Sequence, residues 1–337
     1  MKKLILLLLI PAIVTAQTKK PEDFGYRHLQ TVYKDLPVDI LILSKKGDEK
    51  KRKPIFLFVQ GSLPIPLIIL DKAGKPYFVF VFKADSLLNQ YHLAIIGKPG
   101  VPVIAQDSVL TKDYVYNDPL TKLMPRVYQQ HNYIDYLASR DKEVLRFLMK
   151  QDFAALKQKA VVAGHSEGAT VAAKLALISP DVGKLIYASE NPFGRIMTEV
   201  GQERELDPTG TKTEAIFKEW QQIVNKPNDV SQKKGDTNKG TYQSSIPPIE
   251  YLEKLTIPVL VTYGTKDHSG KFTDLLRIEM TRKHKNNFIF KCYAGLDHNY
   301  FPLKPDGLVN YDVFNWDKVA LDWQAWLNGK TELHALQ

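Results

Sequence analysis

Val161-Val162-Ala163-Gly164-His165-Ser166-Glu167-Gly168-Ala169 is the stretch that decides the fold of this chain. Ahead of Gly164, Ala160 to Ala163 is a short apolar run of the kind that forms a strand buried on both faces. Behind it, Ser166 to Ile178 sets Gly168, Ala169, Ala172 and Ala173 on a face able to lie close against a sheet. Between the two stands Gly-x-Ser-x-Gly. A serine on so tight a strand-to-helix turn takes a strained backbone conformation, and flanking glycines remove side chains that would clash. Its hydroxyl then projects at the sheet edge, beside a helix N-terminus. At average composition the bare pattern arises by chance in roughly one chain in ten; the strand–turn–helix setting is what gives it weight. The competing reading, Ser166 as a plain helix cap, needs no glycine on both flanks.

Further apolar runs lie on either side of this unit: Ile40 to Leu43, Ile55 to Val59, Leu93 to Ile96, Leu185 to Ala188, Val259 to Tyr263 and Phe288 to Tyr293. Helix-like stretches separate several of them, including Tyr133 to Met149 with Ile134, Leu137, Val144, Leu145 and Leu148 at helical spacing. Strands alternating with helices predict right-handed crossovers and a doubly wound, mostly parallel α/β sheet. Two segments break the alternation. Leu67 to Phe82 reads as a hairpin around Asp71 to Pro76, with Phe78 to Leu88 as an alternative helix. Asn191 to Pro248 is too long for a plain connection. It reads as a cap inserted over the carboxyl edge of the sheet, with a short amphipathic helix over Thr213 to Val224 and a mobile Lys/Gly/Asn/Ser-rich portion.

Serine is a poor nucleophile until a base takes its proton, and that base needs an anchored partner. In a sheet of this kind the acid and the histidine follow the serine, each at the end of a later strand. Val259 to Tyr263 runs into Gly264-Thr265-Lys266-Asp267, and Phe288 to Tyr293 into Ala294-Gly295-Leu296-Asp297-His298. Asp267 and His298 therefore occupy the required loops. His284 precedes its strand and sits at the wrong end; His268 adjoins the acid and is poorly placed to be oriented by it. Asp297 reads as a turn residue. An oxyanion hole needs two backbone N–H groups. One is expected from Glu167, and the other from Ser62 in Gln60-Gly61-Ser62, after the strand Ile55 to Val59.

The series Gln60-Gly61-Ser62, Gly164-His-Ser-Glu-Gly168, Tyr263-Gly-Thr-Lys-Asp267 and Gly295-Leu-Asp-His298 resembles the α/β-hydrolase superfamily over most of the chain, closest to its esterase and prolyl-oligopeptidase-like branches without an upstream propeller. The resemblance implies hydrolysis of an ester, thioester or amide through an acyl-enzyme. Many members carry His-Gly where this chain has Gln60-Gly61; the amide donor survives that change.

Three functions compete. A carboxylic-ester hydrolase acting on a small or short acyl substrate leads. A peptidase would usually bind a free amino terminus through a carboxylate pair; Glu190 and Glu199 are the candidates, though both read as solvated. A non-catalytic binding protein of the same fold commonly loses a triad residue, whereas all three stand here. Trp220, with Phe217 and Ile223, offers an apolar substrate wall in the cap; equally, it pins the cap to the main domain.

The remainder of the chain narrows the setting. Lys2 and Lys3, the apolar run Leu4 to Ile10 and Val14-Thr15-Ala16 read as a cleavable signal over residues 1–16, so 17–337 is expected as one exported domain, periplasmic or secreted. No stable membrane insertion is expected once the signal is removed. The net charge of +9 is dispersed and argues against nucleic-acid binding. The eight histidines show no metal-ligand spacing, and no phosphate loop or other cofactor site is indicated. Cys292 is the single cysteine, so no internal disulfide forms, and its apolar run predicts a buried, inert thiol.

Overall fold

The computed structural model describes residues 19–330 apart from 78, 156 and 208. The expected signal at 1–16 lies outside the described residues. The strands are β1 (Tyr26–Tyr33), β2 (Leu36–Leu43), β3 (Ile55–Val59), β4 (Ile68–Leu70), β5 (His92–Ile96), β6 (Ile104–Gln106), β7 (Ala160–His165), β8 (Val182–Ala188), β9 (Val259–Gly264) and β10 (Phe288–Tyr293). The helices are α1 (Asp85–Leu88), α2 (Arg126–His131), α3 (Ile134–Met149), α4 (Glu167–Ile178), α5 (Arg195–Leu206), α6 (Thr211–Asn225), α7 (Asn238–Ser244), α8 (Ile249–Leu252), α9 (Gly270–Arg282) and α10 (Trp316–Leu327).

Eight strands form one sheet in the order β1-β2-β5-β3-β7-β8-β9-β10. All pairings from β5 to β10 are parallel, and β1 and β2 are antiparallel additions at one edge. The continuous apolar runs are explained by burial on both faces. In β3, Ile55, Leu57 and Val59 face a core containing Leu137, Leu145 and Ala172 of α3 and α4. Phe56 and Phe58 face the other core, with Trp316, Trp323 and Trp326 of α10. Each fully buried side chain of this size contributes about 1.5–3 kcal/mol, so β3, β5, β7 and β9, apolar on both faces, are strongly held in the sheet. Ser166 follows β7, flanked by β3 and β8.

Three expectations need correction. Leu67 to Phe82 forms only a short hairpin: Leu70 faces Pro76 in an antiparallel bridge, bracketed by Asp71 N–H to the Lys75 carbonyl at 2.9 Å and Tyr77 N–H to the Ile69 carbonyl at 2.7 Å, while β4 also pairs in parallel with β6. The turn is held by Asp71 Oδ1, which accepts the Ala73 and Lys75 amides at 2.8 Å; of the alternative helix over Phe78 to Leu88, Asp85–Leu88 is helical. The polar stretch expected to be mobile contains α7 and is fastened by side chains of α2 and α3: Gln129 Nε2 donates to the Gly235 carbonyl at 3.1 Å, and Asp135 Oδ2 accepts from Gln243 Nε2 at 3.1 Å. Cys292 is exposed. Its strand β10 is the sheet's edge, and only Phe288 and Tyr293 at its ends are buried.

Candidate active site

Ser166 has φ 56° and ψ −141° and accepts no side-chain bond from the helix it precedes, which removes the plain capping reading. A non-glycine residue held there costs of order 1–3 kcal/mol, and the surrounding packing enforces it. A Cβ on Gly164 would lie 2.1 Å from the Gly168 carbonyl oxygen, and one on Gly168 would lie 2.3 Å from that of Val59. Both motif glycines are thus dictated by backbone-to-backbone contact. Glu167 opens α4, so its N–H belongs to the first turn and has no partner within the helix. The Gln60–Ser62 loop lies alongside: a Cβ on Gly61 would be 3.5 Å from Ser166 Cβ and 3.9 Å from its Oγ. Tyr128 of α2 donates its hydroxyl to the Ser62 carbonyl.

The acid and the histidine meet because their loops interlock. A Cβ on Gly264, at the end of β9, would stand 2.1 Å from the Leu296 carbonyl oxygen. Asp267 Oδ2 is 3.0 Å from His298 Nδ1, and its Oδ1 accepts the Ser269 N–H at 2.9 Å. The Asp267 side chain is 3% exposed. Burial pushes its pKa up, but the bonds to His298 and Ser269 prevail and hold it below the usual carboxylate value. Burial likewise works against a charged His298, and Asp267 outweighs it, leaving the imidazole more basic than usual. Nδ1 is committed to Asp267, so Nε2 is the nitrogen left for a reaction, on a residue that lines two cavities together with Ser166. Asp297 closes a turn, accepting the Asn299 and Phe301 amides at 2.9 and 2.7 Å. His268 pairs with Glu205 at 2.9 Å, and His284 is exposed beyond α9, before β10 begins.

His165, a free position of the serine motif, carries a contact that the motif alone does not reveal. Its Nε2–H donates to the His298 carbonyl at 2.9 Å, and its ring lies 4.9 Å from those of His298 and Trp316. Burial, with the neighbouring His298 charge, pushes its pKa down to about 3, so it stays neutral and acts as a fixed donor. It buttresses the loop carrying His298.

Two cavities share Ser62, Ser166 and His298. The first, about 330 Å³, is polar, with Glu167, Glu190, Asn191, Arg195, Asp267 and Ser269 in its wall. Insertion helix α5 supplies Arg195, Thr198 and Gln202 to it. The second, about 360 Å³, is walled chiefly by Leu63, Ile65, Leu67, Ile69, Val79 and Val81. Glu190 is not the solvated residue expected: it faces the polar cavity, and burial, added to by the Glu167 and Asp267 charges, pushes its pKa up to about 8. Burial also raises Glu167. Glu199 is spent on Arg195 Nε at 3.1 Å. Trp220 lines neither cavity; it stacks on Tyr242 at 5.8 Å and 14°. Among the described residues no group of three or more His, Cys, Asp or Glu is placed to hold a metal ion, and no helix is long and apolar enough to cross a membrane.

No family model and no curated protein matches the chain in sequence. Solved structures do resemble it in fold. Dipeptidyl peptidase 4 of Porphyromonas gingivalis is 12% identical with TM-score 0.53, covering 90% of this chain and 35% of its own. The 2,6-dihydroxy-pseudo-oxynicotine hydrolase is 14% identical with TM-score 0.51, covering 93% and 71%. The acylaminoacyl peptidase of Pyrococcus horikoshii is 14% identical with TM-score 0.49, covering 81% and 37%. The chain therefore spans little more than a third of the length of either peptidase. With its mostly parallel sheet of eight strands, the chain has the α/β-hydrolase fold.

Proposed function

We propose that this chain is an exported serine hydrolase that cleaves a carboxylic ester or related acyl bond through an acyl-enzyme intermediate. The observation carrying the reading is the Asp267–His298 pair at 3.0 Å, bordering the same polar cavity as a serine held in a strained turn. Ser166 Oγ attacks the acyl carbon while His298 Nε2 takes its proton, with Asp267 fixing the tautomer and stabilising the imidazolium. The tetrahedral oxyanion is met by the N–H groups of Glu167 and Ser62; one such donor is worth about 10²–10³ in rate. Collapse breaks the bond to the leaving alcohol, which receives the proton from His298. Water then repeats the sequence on the acyl-enzyme and releases the acid and free Ser166. The apolar cavity receives the hydrocarbon part of the substrate, and the 191–248 insertion acts as a cap walling the polar side.

A second reading is favoured by one observation. Glu167 and Glu190 both face the polar cavity, a device that suits a protonated amine on the substrate and so a peptide or aminoacyl bond. A panel of neutral esters of graded chain length, beside matched aminoacyl esters and amides, separates the two by kcat/KM. A fluorophosphonate probe tests the shared chemistry. Wild type is expected to be labelled and active, and Ser166→Ala, which fits the same turn, to be unlabelled, folded and inactive. Turnover surviving in clean Ser166→Ala overturns the assignment. Export is tested by the N-terminal residue of the mature protein, expected at Gln17.

A further inference from the structure

The Ser62 loop has few restraints of its own. Pro64 and Pro66 lack an N–H, and inside the loop Ile65 N–H donates to the Leu63 carbonyl at 2.9 Å. Two holds reach it from outside: Tyr116 N–H donates to the Pro64 carbonyl at 3.0 Å, and Tyr128, which is 2% exposed, donates its hydroxyl to the Ser62 carbonyl itself. The same six-residue helix grips the insertion. Arg126 Nη1 donates to the Gln232 carbonyl at 2.5 Å and Nη2 to that of Val230, while Gln129 Nε2 donates to the Gly235 carbonyl at 3.1 Å. Next to Gly235, Asp236 accepts from Arg195 Nη1 at 2.6 Å, and Arg195 lines the polar cavity. A run of hydrogen bonds thus leads from the cavity wall, through the insertion and α2, to the loop beside the nucleophile.

We propose that Tyr128 is a positioning residue for the oxyanion hole, and that α2, holding the 230–235 segment through Arg126 and Gln129, ties the geometry of that hole to the seating of the insertion. This rests on the acyl-hydrolase reading above. The physical ground is that an oxyanion donor helps only when it is fixed where charge develops, and a shift of about 1 Å costs on the order of 10²-fold. Fixing the Ser62 carbonyl fixes the residue whose N–H serves as donor. Proximity alone does not establish such a link; the warrant is measured coupling between its two ends.

Tyr128→Phe removes one oxygen and keeps the ring. Expected is a fall in kcat of roughly 10–100-fold with KM within about threefold, and a matching fall in affinity for a trifluoromethyl ketone, whose adduct places an oxyanion in the hole. Arg126→Met, remote from the reacting atoms, is expected to lower kcat by roughly 3–10-fold, and the double variant to lose less than the product of the two. A Tyr128→Phe enzyme within twofold of wild type, or one whose kcat falls while ketone affinity holds, overturns the positioning role. Losses that multiply independently overturn the tie to the insertion. If Tyr128→Phe does not fold, Arg126→Met and Gln129→Leu carry the test, and unchanged kcat and ketone affinity in both sink the proposal. A wild type that neither takes the fluorophosphonate probe nor turns over esters overturns the hydrolase reading and this one with it, whereas an active wild type beside an unaffected Tyr128→Phe overturns only this one.

Discussion

The polar and apolar cavities are nearly equal in volume, about 330 and 360 Å³, and meet at the same serine, yet they are built by opposite means. The apolar wall comes from one early segment, residues 58–81, and is made largely of aliphatic side chains. The polar wall is gathered from the start of α4, the turn after β8, the acid loop and the insertion. The apolar wall discriminates weakly, since one methylene in such a pocket is worth only about 1–3 kcal/mol, while a site built to satisfy a polar group rejects its absence by about 10⁴–10⁵. The proposed hydrolase would therefore grade chain length on one side of Ser166 and decide chemical identity on the other.

What both sides share is tested first, because it carries the largest effect. Asp267→Asn keeps the shape but favours the wrong imidazole tautomer, and kcat is expected to fall by up to about 10⁴ on every substrate, whichever cavity it fills. The pH profile gives an independent check. His298 must be neutral to act as a base, and its pKa is raised, so wild-type kcat/KM climbs through a limb lying above the usual histidine value. Without the Asp267 charge, that limb moves to lower pH in the residual activity. An unmoved limb, or a loss confined to one substrate class, places the orienting acid elsewhere.

The next test addresses the polar wall alone. Glu190→Gln is expected to cut kcat/KM for amine-bearing substrates by roughly 10–100-fold, because an incoming ammonium draws the proton off Glu190 and makes a charge-assisted bond that glutamine cannot, and to leave neutral esters within about threefold. The substitution also has a stability signature. Glu190 keeps its proton in the folded state up to about pH 8, against 4.5 in the unfolded chain. Above pH 4.5 the unfolded chain releases the proton first, so wild type loses stability as pH rises and the loss is complete above about 8. Glu190→Gln should therefore gain thermal midpoint over wild type at pH 8.5 and not at pH 4. Equal midpoint differences at both values would show that Glu190 is not held protonated by the fold.

The same contrast marks how far the sequence could be read. The loops of Ser166, Asp267 and His298 were legible because each follows a strand that announces itself as an apolar run, buried in β7 and β9 and at the sheet's edge in β10. The small motif residues were legible as well, since Gly164 and Gly168 answer backbone contacts that occur wherever this turn forms. Glu190 was not, because its environment is made by the insertion and by Glu167, which a local window reads as polar and hence solvated. Cys292 failed for a related reason: an apolar run marks a strand without saying whether it lies inside the sheet or at its edge. Tyr128 and His165 act through a hydroxyl and a ring nitrogen on carbonyls 66 and 133 residues distant, and no periodicity encodes such a contact.

On the apolar side, Leu63 is the wall residue to vary, because it is 45% exposed and its truncation leaves no buried void. Leu63→Ala is expected to lower kcat/KM for long-chain esters by roughly 5–10-fold while acetate esters stay within about twofold, since each lost methylene contact is worth about 0.8 kcal/mol at most. A uniform loss across chain lengths would mean that the hydrocarbon part of the substrate does not lie against this wall.

The smallest effect is expected at Trp220, where an aromatic on the insertion invites the opposite guess. A large apolar side chain on a segment covering a catalytic edge is an obvious candidate for a selectivity wall, and Phe217 and Ile223 extend the same helix face. The structure divides the insertion differently. Its inner helix α5 presents Arg195, Thr198 and Gln202 to the polar cavity, whereas α6 turns Trp220 against Tyr242 of α7 at 5.8 Å, with Ile223 buried and Phe217 40% exposed. The aromatic pair holds two insertion helices to each other, a contact worth about 0.5–1.5 kcal/mol beyond the area it covers. Trp220→Ala should then lower the thermal midpoint by a few degrees and change kcat/KM by less than about twofold on every ester, long or short, neutral or amine-bearing. The effect stays small because α6 packs on α5 and α7 and supplies no residue to either cavity, and the strained turn and the Asp267–His298 pair are built from other segments. A shift in chain-length preference without a matching drop in midpoint would place Trp220 against the substrate after all, and would require the insertion to sit differently when the substrate is bound.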